Sequence, residues 1–203
     1  MGVVTPFATL AFPALFTPRR RVKDDPTSQL VYSATLIFSP DEQNTPAFEA
    51  LKAAARDEFK AKYPDKKMVG AYANPFRKGS EVDYEGFGEE DIYIAVRTTD
   101  KPAVNDVWGN EIPDSEAKKV FAGQLVRAYV NPWAYDKSGN RGVTFFLNGI
   151  QIIDANRPRI DGRVNSDKMF PTDDLEEFRK SAPKPSAGAK APAPAMADDD
   201  MPF

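Results

Sequence analysis

The 203-residue chain has no cysteine and no histidine. Disulfides, Cys/His zinc sites, thiol nucleophiles and Ser-His-Asp machinery are therefore excluded, because each needs a side chain the protein lacks. No apolar run approaches the roughly 18 residues of a membrane span. Met1 to Thr5 lacks a basic region, and Pro6 and Pro13 interrupt the apolar stretch that follows, so neither a signal peptide nor a membrane anchor is expected. What remains is carboxylate chemistry, a metal site of oxygen ligands, or binding without chemistry.

Little net charge is present: 27 bases against 30 acids give −3. The charges are nevertheless segregated. Residues 81–91 hold six acids and no base, whereas 127–163 hold six bases against three aspartates. Arg19, Arg20, Arg21 and Lys23 form a third cluster. A local positive field of this kind acts over a Debye length of about 8–10 Å whatever the total.

Beyond Ser181 the chain is Pro- and Ala-rich with no aromatic before Phe203. Such a segment buries too little apolar area to offset its ordering entropy. The expected division is a domain over 1–181 and a disordered linker and acidic tip over 182–203. Upstream, Leu30–Phe38, Ile92–Arg97 and Leu125–Trp133 alternate with period two and read as strands. Val143–Ile153 is a further apolar run, bent at Asn148-Gly149, and Asp136–Asn140 supplies the turn of an antiparallel hairpin. One helix is expected from Pro46, capped by Thr45, with Phe48, Leu51, Ala55 and Phe59 on one face and Pro64 as its stop. A short second helix is expected at 173–180, and 73–90 and 101–122 read as loops. The fold class is mainly β, an antiparallel Greek-key barrel with one inserted helix, long loops and a disordered C-terminal tail.

Four constellations stand out. On the strands at 92–97 and 125–133, Tyr93, Arg97, Arg127, Tyr129, Asn131 and Trp133 fall on the face opposite Val and Ile. Rings interleaved with guanidiniums suit unpaired nucleotides, since bases stack on the rings and arginine neutralises phosphate. The alternative is cross-strand packing beneath a loop. The Arg19–Lys23 run reads as a phosphate clamp or a solvated loop. The acidic run 81–91 reads as a solvated loop or, less simply, as ligands for Mg²⁺ or Ca²⁺ in a nucleic-acid enzyme, although its order does not match an EF-hand. Finally, Asp198, Asp199, Asp200, Met201, Pro202 and Phe203 form a peptide with a negative patch and an apolar anchor, suited to a basic pocket with an apolar floor.

That tip resembles the C-terminal tip of bacterial single-stranded DNA-binding proteins. The body instead resembles a family of bacteriophage single-stranded DNA-binding proteins built on one OB-fold with an acidic tail. The resemblance lies in Leu10–Phe16 with Pro18-Arg19, in Tyr32–Pro40, and in the long segment from Phe121–Gly123 through Trp133–Tyr135, Gly139–Val143 and Leu147–Gln151. It implies sequence-independent coating of single strands in replication, recombination and repair, with polymerase, helicase or nuclease recruited through the tip. It also implies an infected bacterial cytoplasm as the setting, no enzyme activity, no cofactor and no metal, and it leaves a homodimer open. Phosphates are expected along Arg19, Arg20, Arg21, Lys23, Arg97, Arg127 and Arg141, and bases on Tyr93, Tyr129 and Trp133, with Phe76 and Trp108 as further stacking candidates. An adaptor or virion-associated barrel that binds protein through the same face is the competing reading.

Overall fold

The structure, a computed structural model, describes residues 2–22, 25–64, 72–137 and 140–162. Lys23, the hairpin tip at 138–139, the expected helix at 173–180, the 181/182 boundary and the tip Asp198–Phe203 lie outside the described residues.

Among the described residues nine strands run in the order β1 (Val3–Val4), β2 (Ala8–Arg20), β3 (Leu30–Phe38), β4 (Tyr72–Ala73), β5 (Arg77–Lys78), β6 (Ile92–Thr98), β7 (Ala103–Asn105), β8 (Leu125–Lys137) and β9 (Asn140–Asp154). Helices α1 (Pro40–Gln43) and α2 (Pro46–Lys62) follow β3. Pairing closes a circuit of five strands, β2–β3–β6–β9–β8 and back to β2. Most contacts in it are antiparallel, but β6 and β9 pair in parallel at Val96↔Phe145 and Arg97↔Phe146. The closing contacts are short: β2 meets β8 only at Ala8↔Val126 and Thr9↔Leu125. This is the partly open five-stranded barrel of an OB-fold.

The periodicities explain the interior. Ala34, Leu36 and Phe38 on β3, Ile94 and Val96 on β6, Val126, Ala128 and Val130 on β8, and Phe145 and Leu147 on β9 all fall in one buried cluster. Helix α2 joins it with Phe48, Leu51, Ala55 and Phe59 at spacings of three and four. Thr45 caps the helix, its hydroxyl accepting from Phe48 N at 3.3 Å, and Pro46 occupies the first turn. At its far end, Lys62 Nζ donates to Ala134 O (2.5 Å) and Glu58 Oε1 accepts from Ala134 N (3.4 Å). The helix thereby covers a stretch of β8 edge that would otherwise offer unpaired backbone.

Two bulges aim side chains. On β9, Asn148 is the extra residue between the pairs Tyr129↔Gly149 and Val130↔Leu147, where the Asn-Gly pair predicts a bend. On β2, the register jumps between Ala11↔Thr35 and Ala14↔Ser33, and Phe12 adopts φ 48°. Pro13, which has no N–H to donate, sits in the same irregularity. The kink turns the Phe12 ring outward against Tyr84 (5.1 Å, edge-on) and Phe87 (6.0 Å).

Candidate nucleic-acid interface

Alternation along β8 puts Val126, Ala128 and Val130 in the core and Arg127, Tyr129, Asn131 and Trp133 on the outer surface. From Arg127 to Trp133 this strip is roughly 20 Å long. Tyr129 is 46% exposed and Trp133 48% exposed. Next to them on β9 lies Phe146, also facing out at 38% exposure, opposite Asn131 on one side and Arg97 of β6 on the other. Trp133 meets it edge to face at 5.8 Å.

At one end of the strip Arg127 is held by a chain of hydrogen bonds. Its Nε donates to Gln151 Oε1 (2.9 Å), and Gln151 Nε2 donates to Asp106 O (2.9 Å) and Val107 O (3.3 Å). The turn so anchored presents Trp108, 85% exposed. Asp106 fixes that turn by accepting from Trp108 N (2.9 Å), Asn110 N (2.8 Å) and Asn110 Nδ2 (3.1 Å). These bonds, the Asn110 side chain's first among them, hold the Asp106 carboxyl below its usual range. Between the turn and β8 is a cleft of about 410 Å³ lined by Val4, Asn105, Arg127, Tyr129, Gly149 and Gln151, among others. The backbone of Gly2 lies directly against the Tyr129 ring: a Cβ on Gly2 would stand 2.3 Å from the ring's Cζ, so no other residue fits without moving the tyrosine.

At the other end, the Lys62 ammonium sits 4.0 Å from the centre of the Trp133 ring. Arg97 is half-buried. Its pKa is lowered first by burial and then by the like charge of Arg21; Tyr135 opposes the shift and Arg77 adds to it. No acid pairs with Arg97 among the described residues. A guanidinium stays protonated at neutral pH, so an anion placed here would relieve this crowding of cations.

The expected site residues thus fall into groups. Arg21, Arg97 and Trp133 share one end of the outer surface, and Arg127 and Tyr129 share the other with Trp108. Arg20 donates to Ser28 O (2.7 Å), and Arg141 is paired with Asp136 across the hairpin at 2.9 Å. Arg19 lines a separate cleft with Phe12, Phe121 and Arg159. Tyr93 corrects the expectation of a stacking platform. It lies on the outer side of β6 but is 8% exposed, packed with Ala11 and Ile37 under Phe87, whose ring meets it edge-on at 5.3 Å. Period-two alternation assigns a face and is blind to a loop lying over it. That loop is the acidic run, which is anchored by Val82 and Phe87 rather than merely solvated. Among the described residues no group of three acids is placed to hold a metal ion. Phe76 is also partly buried, edge-on to Phe48 (5.7 Å) and Phe145 (5.9 Å). Phe146 escaped the sequence reading because it sits in a continuous apolar run, where alternation is masked.

The family model described as the Enterobacter phage Enc34 ssDNA-binding protein matches residues 1–179. The chain belongs to that family. Among solved structures, the single-stranded DNA-binding protein of bacteriophage Enc34 in complex with ssDNA is similar, with 16% identity, TM-score 0.65, and 77% of this chain and 88% of that one covered. The same phage protein without DNA gives 17% identity and TM-score 0.62 over 84% of this chain and 90% of that one. The single-stranded DNA binding protein encoded by bacteriophage T7 gives 13% identity and TM-score 0.50 over 81% and 98%. At these identities the structural likeness speaks for the shared OB-fold, while membership rests on the family match. No curated protein matches the sequence. Among the described residues no helix is long and apolar enough to cross a membrane.

Proposed function

We propose that the chain is a non-enzymatic, sequence-tolerant single-stranded DNA-binding protein that acts in phage replication, recombination and repair within the bacterial host. The observation that carries this reading, beside family membership, is the outward row of Tyr129, Trp133 and Phe146 flanked by Arg127 and Arg97 on the barrel surface. Bases stack on the rings, each such contact contributing about 1–3 kcal/mol, and the guanidiniums neutralise phosphate. Arg21 extends the cationic rim, Lys23 is a further phosphate contact, and Trp108 offers a further platform at the far end. Arg19, Arg20 and Arg141 serve as outer phosphate contacts.

With about four phosphates neutralised, log affinity for oligo(dT) falls with log salt at a slope near −3. A slope of zero, or no shift of labelled oligo(dT), refutes the reading and favours an adaptor. The acidic tip Asp198–Phe203 recruits a polymerase, helicase or nuclease and competes with phosphate for the cationic face. Its deletion therefore tightens oligo(dT) binding and abolishes recruitment; unchanged affinity with recruitment intact refutes the role.

A further inference from the structure

Between α2 and β5 lies a further cleft, of about 460 Å³, in which Phe76 is the one residue expected to contact DNA. Four bases line it, Lys52 and Arg56 from the helix and Arg77 and Lys78 from the strand, with no acid among the lining residues. Phe48, Phe76 and Ile92 supply apolar surface beneath them. Phe76 is braced edge-on by Phe48 and Phe145, so the core fixes its position. Lys52 is paired with Glu49 at 2.5 Å, but Arg56, Arg77 and Lys78 have no ion pair among the described residues. Unpaired cations around an apolar floor match the two halves of a nucleotide, phosphate and base.

The cleft and the outer side of the sheet share Arg77. Arg77 pairs with Tyr93 on the β5–β6 ladder, so both point to the outer side of the sheet, and Arg97 follows four residues along the same face of β6, about 13 Å away. We propose that this cleft is a second nucleotide site, which receives the part of the bound single strand that runs off the sheet face past Arg77. The proposal rests on the reading of that face as a single-strand platform. An acidic peptide would meet the same charges, but it has no need of the link through Arg77 to Arg97.

The test uses the full chain and its Lys52→Gln/Arg56→Gln/Lys78→Gln variant, leaving Arg77 in place. Affinity is measured for oligo(dT) of about 6 and about 16 nucleotides, both within the range of site sizes per OB-fold. The short oligonucleotide should bind both proteins within about twofold, because it is held on the sheet face. The long one should bind the variant on the order of tenfold more weakly at low salt, with a slope shallower by about 2, from roughly 0.7 per lost phosphate contact. Arg56→Gln alone, on an exposed helix position, should give about a third of that slope change. Equal losses for both lengths would reduce the cleft to a general field effect, and unchanged long-oligonucleotide binding would remove it from the path; either overturns the proposal. Tighter binding by the variant overturns it too, by showing that the cleft holds an acidic segment such as 198–203. If the parent protein binds neither length, the sheet-face reading itself fails, a result distinct from all of these.

Discussion

Phe145 and Phe146 are neighbours on one strand with opposite destinies, which makes the pair a sensitive probe of the interface. Phe145 is fully buried and packs against Phe76, whereas Phe146 faces out beside Trp133. Replacing Phe145 by Ala opens a core cavity, costing about 3–5 kcal/mol. For a domain of this size that lowers the melting temperature by roughly 6–20 °C. Replacing Phe146 by Ala removes an exposed ring and leaves no cavity, so stability should change by less than about 1 kcal/mol, the usual range at surface positions. Its cost should appear in binding instead. Loss of one stacked base is worth about 1–3 kcal/mol, or about 5- to 140-fold in Kd at 1.4 kcal/mol per decade. Thermal melting and fluorescence titration with oligo(dT) read the two effects separately. Should Phe146→Ala melt as early as Phe145→Ala, the register of β9 is inverted. Should it melt like the parent and bind equally well, the row of rings is not a stacking surface.

Tyr129→Ala should weaken oligo(dT) binding by about 1–3 kcal/mol with little change in melting, since the ring is half-exposed over Gly2; unaltered affinity would make it packing. Tyr93→Ala should do the reverse, destabilising the domain by about 3 kcal/mol through the lost contacts with Phe87 and Ile37 while the folded protein binds DNA within about twofold. For Asp106, whose carboxyl is depressed, the stabilisation of the Trp108 turn is present above the unfolded value and lost as pH falls through the lower folded value. Trp108 emission, recorded in a Trp133→Phe background, should therefore change with a midpoint below that of an ordinary aspartate. A midpoint at or above the ordinary aspartate value would contradict the hydrogen bonding around Asp106.

Local pattern alone determined much of the scaffold. The span of β3, the cap, face and stop of α2, the β8–β9 hairpin and the bulge at Asn148-Gly149 each follow from spacing or turn chemistry within one short segment. The outward placement of Arg127, Tyr129 and Trp133 was legible for the same reason, because alternation on β8 is clean. Tertiary structure decided the rest. Pro13 and the bulge at Phe12 break the alternation of β2, and a parallel closure between β6 and β9 has no local signature, since its partners lie nearly 50 residues apart. Whether an outward ring is free also depends on distant chain: Tyr93 disappears beneath Phe87, while Phe146, hidden in an apolar run, emerges beside Arg97. Period and propensity are properties of neighbours along the chain, but exposure belongs to whatever the fold lays on top.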